Sequence, residues 1–105
     1  MSATDTLVDI VELGAFAQAL PSAWSSREVG SVGPARLKLL RMDARPYPEE
    51  VHDYTEALLV LEGQLRLSFD GRTRVVEAGA LCLVPPGVAH AVAEGSHGTL
   101  LIIDT

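Results

Sequence analysis

The dipeptide Asp70-Gly71, set between two alternating segments, constrains the fold more than any other feature of this chain. Upstream, Leu65, Leu67 and Phe69 alternate with Arg66 and Ser68; downstream, Thr73 to Glu77 can return. An Asp-Gly loop adopts the left-handed turn whose twist matches two antiparallel strands, so the segment predicts a hairpin. Further strands are predicted at Glu56 to Glu62, with a bend or bulge at Gly63-Gln64, and at Leu81 to Val84 after an Ala78-Gly79 turn. Val88 to Ala93 and Thr99 to Asp104 follow, separated by a polar loop from Glu94 to Gly98. Ala35 to Met42 sets Arg36 and Lys38 against Leu37 and Leu39, the pattern of a strand with one wet face. Many short strands punctuated by turns predict an all-β sandwich or barrel.

The first third reads differently. Leu7 to Val11 alternates like a short strand, and Ala15 to Leu20 reads as a short helix ended by Pro21. Trp24 follows in a polar connection, then an edge strand over Ser25 to Val29 and a turn from Gly30 to Pro34. The 105 residues suffice for one domain with a single modest core. The organisation expected is a strand and helix extension over 1–34 packing on a barrel over 35–105.

Charge and composition exclude several classes. A formal charge of −6 with no basic run argues against nucleic-acid binding. The stretch Ala57 to Leu61 is too short to span a bilayer, and the start Met1-Ser2-Ala3-Thr4-Asp5 lacks the basic region of a signal peptide, so no membrane role and a cytoplasmic location are expected. The lone Cys82 rules out an internal disulfide and reads as a small buried hydrophobe. In the strand from Glu56, an inward set of Glu56, Leu58 and Val60 leaves Ala57, Leu59 and Leu61 facing out. An apolar outer face needs a cover, either the N-terminal segment or a second copy, and a homodimer is expected.

Gly79 to His90 ends an apolar strand on Pro85-Pro86-Gly87, where two fixed φ angles and one free one make a sharp reversal ahead of His90. His90 and Val92 share a face of the next strand. Here the chain resembles the cupin superfamily of small β-barrels. Its second motif, G-x5-P-x-G-x2-H-x3-N, is matched by Gly79, Pro85, Gly87 and His90, with Glu94 in place of the final Asn. Its first, G-x5-H-x-H-x3/4-E-x6-G, is matched in its latter half by Glu56 and Gly63. The resemblance implies a double-stranded β-helix, or jelly-roll, barrel with a metal site. Carried over residue by residue, Glu56 and His90 match two ligands, His52 falls at the second histidine and Glu50 at the first. A second register reads Tyr54 at that second position. Both keep His52 and Glu56.

Two neutral imidazoles and a carboxylate form a facial set that holds a divalent first-row ion with positions left open. His52, Glu56 and His90 supply it, and Glu50 could complete a fourth position. A carboxylate for an imidazole makes the site harder, favouring manganese, iron, nickel or zinc over copper. A ligand cavity lined by Tyr54, Leu58, Val60, Leu83 and Val92 is expected beside it. Arg36, Lys38 and Arg41 read as a solvated face, although Arg41 or Arg45 turned inward could clamp a carboxylate. His97 reads as solvated. The function expected is a small-molecule-binding barrel with a divalent metal, either an oxygenase- or isomerase-type enzyme or a non-catalytic sensory module with a degenerate metal site.

Overall fold

A computed structural model describes residues 8–105. One helix, α1 (Leu13–Gln18), precedes eight strands: β1 (Arg27–Val32), β2 (Ala35–Asp43), β3 (Tyr47–Glu50), β4 (Glu56–Phe69), β5 (Arg72–Glu77), β6 (Leu81–Val84), β7 (His90–Val92) and β8 (His97–Asp104). All pairings are antiparallel, in the order β1-β2-β8-β4-β7-β3, with β5 and β6 both on β4. The expected all-β architecture is therefore present. Leu7 lies outside the described residues, and Val8 to Val11 form no strand. Alternation alone makes no strand where no neighbouring edge satisfies the backbone, and Val8 and Ile10 stand exposed. The helix begins two residues earlier than expected, and β1 runs on through Gly30 to Val32 in place of a turn.

β4 is the hub, because it pairs with four other strands. Its 14 residues replace the two strands expected on either side of Gly63-Gln64. Val60 pairs with Leu100 and Glu62 with Thr99, so Leu61 is the extra residue of a bulge. The bulge moves the inward set from Glu56, Leu58 and Val60 to Leu65 and Leu67, all buried. These residues pack with Leu40, Met42, Val84 and Leu100 into one core. Each such side chain contributes roughly 1.5–3 kcal/mol on burial.

The wet face expected on β2 is reversed. Arg36 and Lys38 share the face of Leu40 and Met42, the inward one, while Leu39 on the opposite face is fully buried and α1 packs on that strand. Lys38 Nζ lies 2.7 Å and Arg36 Nε 3.4 Å from the buried Asp104 carboxylate, which accounts for charge on that side. Arg41 points outward and donates to the Leu20 carbonyl (2.8 Å), and Arg45 is exposed beside Asp43, so neither turns inward.

On the outer face two apolar rows cross four strands. The pairings align Leu37, Ile103, Ala57 and Leu83 in one row and Leu39, Leu101, Leu59 and Leu81 in the other. α1 lies over the β2 end, whereas Leu81 and Leu83 remain exposed at the other. Among the described residues, no helix is long and apolar enough to cross a membrane.

Where β4 crosses β8, Gly63 (φ +77) faces Gly98 (φ +101), and a Cβ on either would sit 2.1 Å from the His97 carbonyl oxygen or 2.0 Å from that of Glu62. Gly63→Ala and Gly98→Ala are each expected to cost more than the ~1–3 kcal/mol of left-handed strain alone in urea unfolding. Gly33→Ala, with φ +55 and open space, is the control and carries the strain without the clash. Trp24 sits at φ 65, its N–H on the Arg41 carbonyl (2.9 Å) and its indole N–H on Asp43 Oδ1. That bond holds the Asp43 carboxyl below its ordinary 3.8. Its contribution is present above that value and lost as pH falls through the lowered one. Trp24→Phe is expected to flatten this acid limb of the stability profile, and an unchanged limb would show that the bond contributes nothing.

Candidate metal centre

The reversal after β6 positions both histidines. Gly87, at φ +79, donates its N–H to the His52 carbonyl (2.8 Å), and the His90 Nδ1–H donates to the Val88 carbonyl (2.9 Å). A carbonyl only accepts, so His90 carries a proton on Nδ1 and turns Nε2 to the barrel interior. Backbone pairing of Glu50 on β3 with His90 on β7 brings the segment before β4 over the same point.

The ligand atoms converge there. His90 Nε2 lies 3.1 Å from Glu56 Oε1, and His52 Nε2 lies 3.2 Å from Glu50 Oε2 and 3.6 Å from Glu56 Oε2. One ligand atom each of Glu50, His52 and His90 lie within 4.8 Å of one another. Glu56, 7% exposed, bridges the two imidazoles. An Nε2 lone pair facing a buried carboxylate oxygen is repulsive unless a cation lies between them, either a proton or a metal ion. Metal–ligand bonds of about 2.1 Å separate neighbouring ligand atoms by roughly 3.0–3.4 Å, close to the spacings here. The donor set fits a divalent ion.

The two registers are distinguished by position. Glu50 reaches His52, whereas Tyr54 lays its ring on the His52 ring (centroids 4.9 Å apart, 17° between planes). Burial, together with the carboxylates of Asp104, Glu56 and Glu50, pushes the Tyr54 phenol above its usual range.

A cavity of about 260 Å³ opens beside the centre. Tyr54, Leu58 and Val92 line it, as expected from sequence. Val60 is fully buried in the core and lies outside this lining, and Leu83 points outward, 60% exposed. Leu83 pairs with Ala57 of the outer face, so the inward residues of β6 are Cys82 and Val84. Lys38, Asp104 and Trp24 line the cavity without having been expected there, and Tyr47, which flanks the first motif and could rim the pocket mouth, lines it too. Burial pushes the Cys82 thiol up, in keeping with a small buried hydrophobe. His97 is exposed, its ring on the Gly95 carbonyl. A second cavity of about 860 Å³, walled by β5 and β6, shares Leu67 and His90 with the first and includes Leu83 in its wall.

Comparisons with known proteins agree with this architecture. The chain is 37% identical over 57 residues to quercetin 2,3-dioxygenase of Bacillus subtilis (strain 168), which is 53% of this chain and 17% of that protein. It thus spans about a sixth of that relative's length. Its fold is similar to that of a cupin-2 domain containing protein from Shewanella frigidimarina NCIMB 400 (TM-score 0.84, 22% identity, 90% of this chain and 93% of that one). It is also similar to a putative mannose-6-phosphate isomerase from Ralstonia eutropha JMP134 (TM-score 0.76, 17% identity, 91% and 96% of the two chains). The family model for the cupin domain matches residues 42–105, more than half of the chain, and the chain belongs to the cupin family.

Proposed function

We propose that this chain holds a divalent first-row metal ion through His52, Glu56 and His90, with Glu50 as a fourth ligand, and binds a small organic molecule in the adjoining cavity. The observation that carries this reading is the His90 Nε2 lone pair, 3.1 Å from a buried carboxylate oxygen with its tautomer fixed from behind by the Val88 carbonyl. When bound, such an ion supplies Lewis-acid polarisation or an anchor for dioxygen and a chelating ligand. His52, Glu56 and His90 would hold the ion, and the cavity opens beside them. The likeness to quercetin 2,3-dioxygenase supports an oxygenase-type reaction on a small substrate. Glu50 at the place of a histidine supports the second reading, a ligand-binding or sensory barrel without turnover.

Protein purified without a histidine tag and reconstituted with manganese, iron, nickel or zinc is expected to hold about one ion per chain by elemental analysis. His90→Ala should weaken binding by more than the roughly 10–100-fold typical of lost supporting groups, with folding checked by circular dichroism. Native protein that takes up none of the four metals contradicts the proposal. We also propose that a second copy covers the exposed end of the outer apolar rows at Leu81 and Leu83. Sedimentation should give twice the chain mass, reduced to the chain mass by Leu83→Asp. A wild-type monomer at micromolar concentration contradicts the pairing.

A further inference from the structure

The charge and shape of the cavity restrict what it can hold. Glu50, Glu56 and Asp104 line it with three carboxylates, and Lys38 is the one ammonium among the described residues there. Arg36 and Lys38 both meet Asp104, so Glu50 and Glu56 hold the two remaining negative charges, which a divalent cation would cancel. Lys38 is thus engaged, 2.7 Å from Asp104 Oδ2. Ionised carboxylates only accept hydrogen bonds, so a ligand reaching the cavity floor must bring donors.

The walls are flat rings. Trp24 stacks on Tyr47 (centroids 5.4 Å apart, 28° between planes), and Tyr54 stacks on His52 (4.9 Å, 17°). All four rings line the same cavity. Trp24 is held there at φ 65 by its N–H on the Arg41 carbonyl and its indole N–H on Asp43. At about 260 Å³ the cavity is slightly below the roughly 300–1,000 Å³ usual for ligand sites, so its occupant is small.

From this we infer that the cavity takes a small, uncharged, planar aromatic ring bearing hydroxyl groups and refuses phosphate monoesters and dicarboxylates, an inference that rests on the reading of this cavity as the ligand site. The ring lies against Trp24, Tyr47 and Tyr54, and its hydroxyls meet the carboxylates and the metal position. The putative sugar-phosphate isomerase that shares the fold is named for a dianionic substrate, and this cavity has no unpaired cation among its described residues to receive one.

Trp24 is the chain's single tryptophan, so its fluorescence reports on this cavity alone. Zinc-loaded and metal-stripped protein would each be titrated with catechol, with trans-cyclohexane-1,2-diol and with phenyl phosphate, following Trp24 emission and heat by calorimetry. Catechol is expected to bind at least about 10-fold tighter than either comparator, with saturable quenching, and in the same order without zinc. Tyr54→Leu should weaken catechol roughly 2- to 10-fold, the range for a lost aromatic contact, and leave the diol unchanged. Phenyl phosphate or the diol binding as tightly as catechol overturns the inference, as does catechol that neither quenches Trp24 nor gives heat. Zinc uptake without the catechol preference removes this inference and leaves the metal centre standing. The preference without zinc uptake supports the inference and removes the metal centre.

Discussion

A carboxylate withdrawn from water has to be met by positive charge or by donors, and Glu56 is the point at which this chain faces that requirement. It sits at the first position of β4, 7% exposed, with an imidazole Nε2 beside each oxygen. Leaving such a group unpaired costs several kcal/mol, more than most single contacts contribute to a small domain. The surrounding architecture answers to that cost. The Pro85-Pro86-Gly87 reversal ties the backbone of His52 to Gly87, and the Val88 carbonyl holds the His90 ring toward the carboxylate. The fold's most constrained turn and its most exacting electrostatic site are one unit.

The hub strand explains how so short a chain builds this site. β4 pairs with four strands, and the bulge at Leu61 keeps its inward residues on the core side along the whole strand. The paired glycines 63 and 98 allow β8 to run against β4 beyond the bulge, and Asp104 at the far end of β8 enters the cavity with Lys38. Chemistry at one end of β4 and backbone approach at the other depend on the same strand register.

Much of this was legible in the residues. The Asp70-Gly71 hairpin and the strands β5 to β8 follow from turn chemistry and alternation, and the convergence of His52, Glu56 and His90 is what the cupin resemblance implied. What was not legible has physical causes. β3 contains Pro48 within an acidic run, which reads as a loop; it is an edge strand paired only with β7, where a missing N–H is tolerated. β6 is apolar on both faces, Leu81 and Leu83 against Cys82 and Val84, so its own sequence cannot tell in from out; only pairing with β4 turns Leu83 outward. On β2 the charged face is the inner one, because Arg36 and Lys38 answer an aspartate 66 or more residues away in sequence. Trp24 reaches the cavity from a segment whose own pattern carries no trace of it.

At the heart of the site, Nε2 of His52 and Nε2 of His90 converge on Glu56, and we propose that both bind a metal ion there. Nitrogen-15 NMR of histidine-labelled protein, recorded with and without one equivalent of zinc, tests it most directly. The account predicts that zinc shifts Nε2 of both His52 and His90 while Nδ1 of His90 keeps its proton. Nε2 resonances unmoved by zinc, or a His90 that binds through Nδ1, would contradict it.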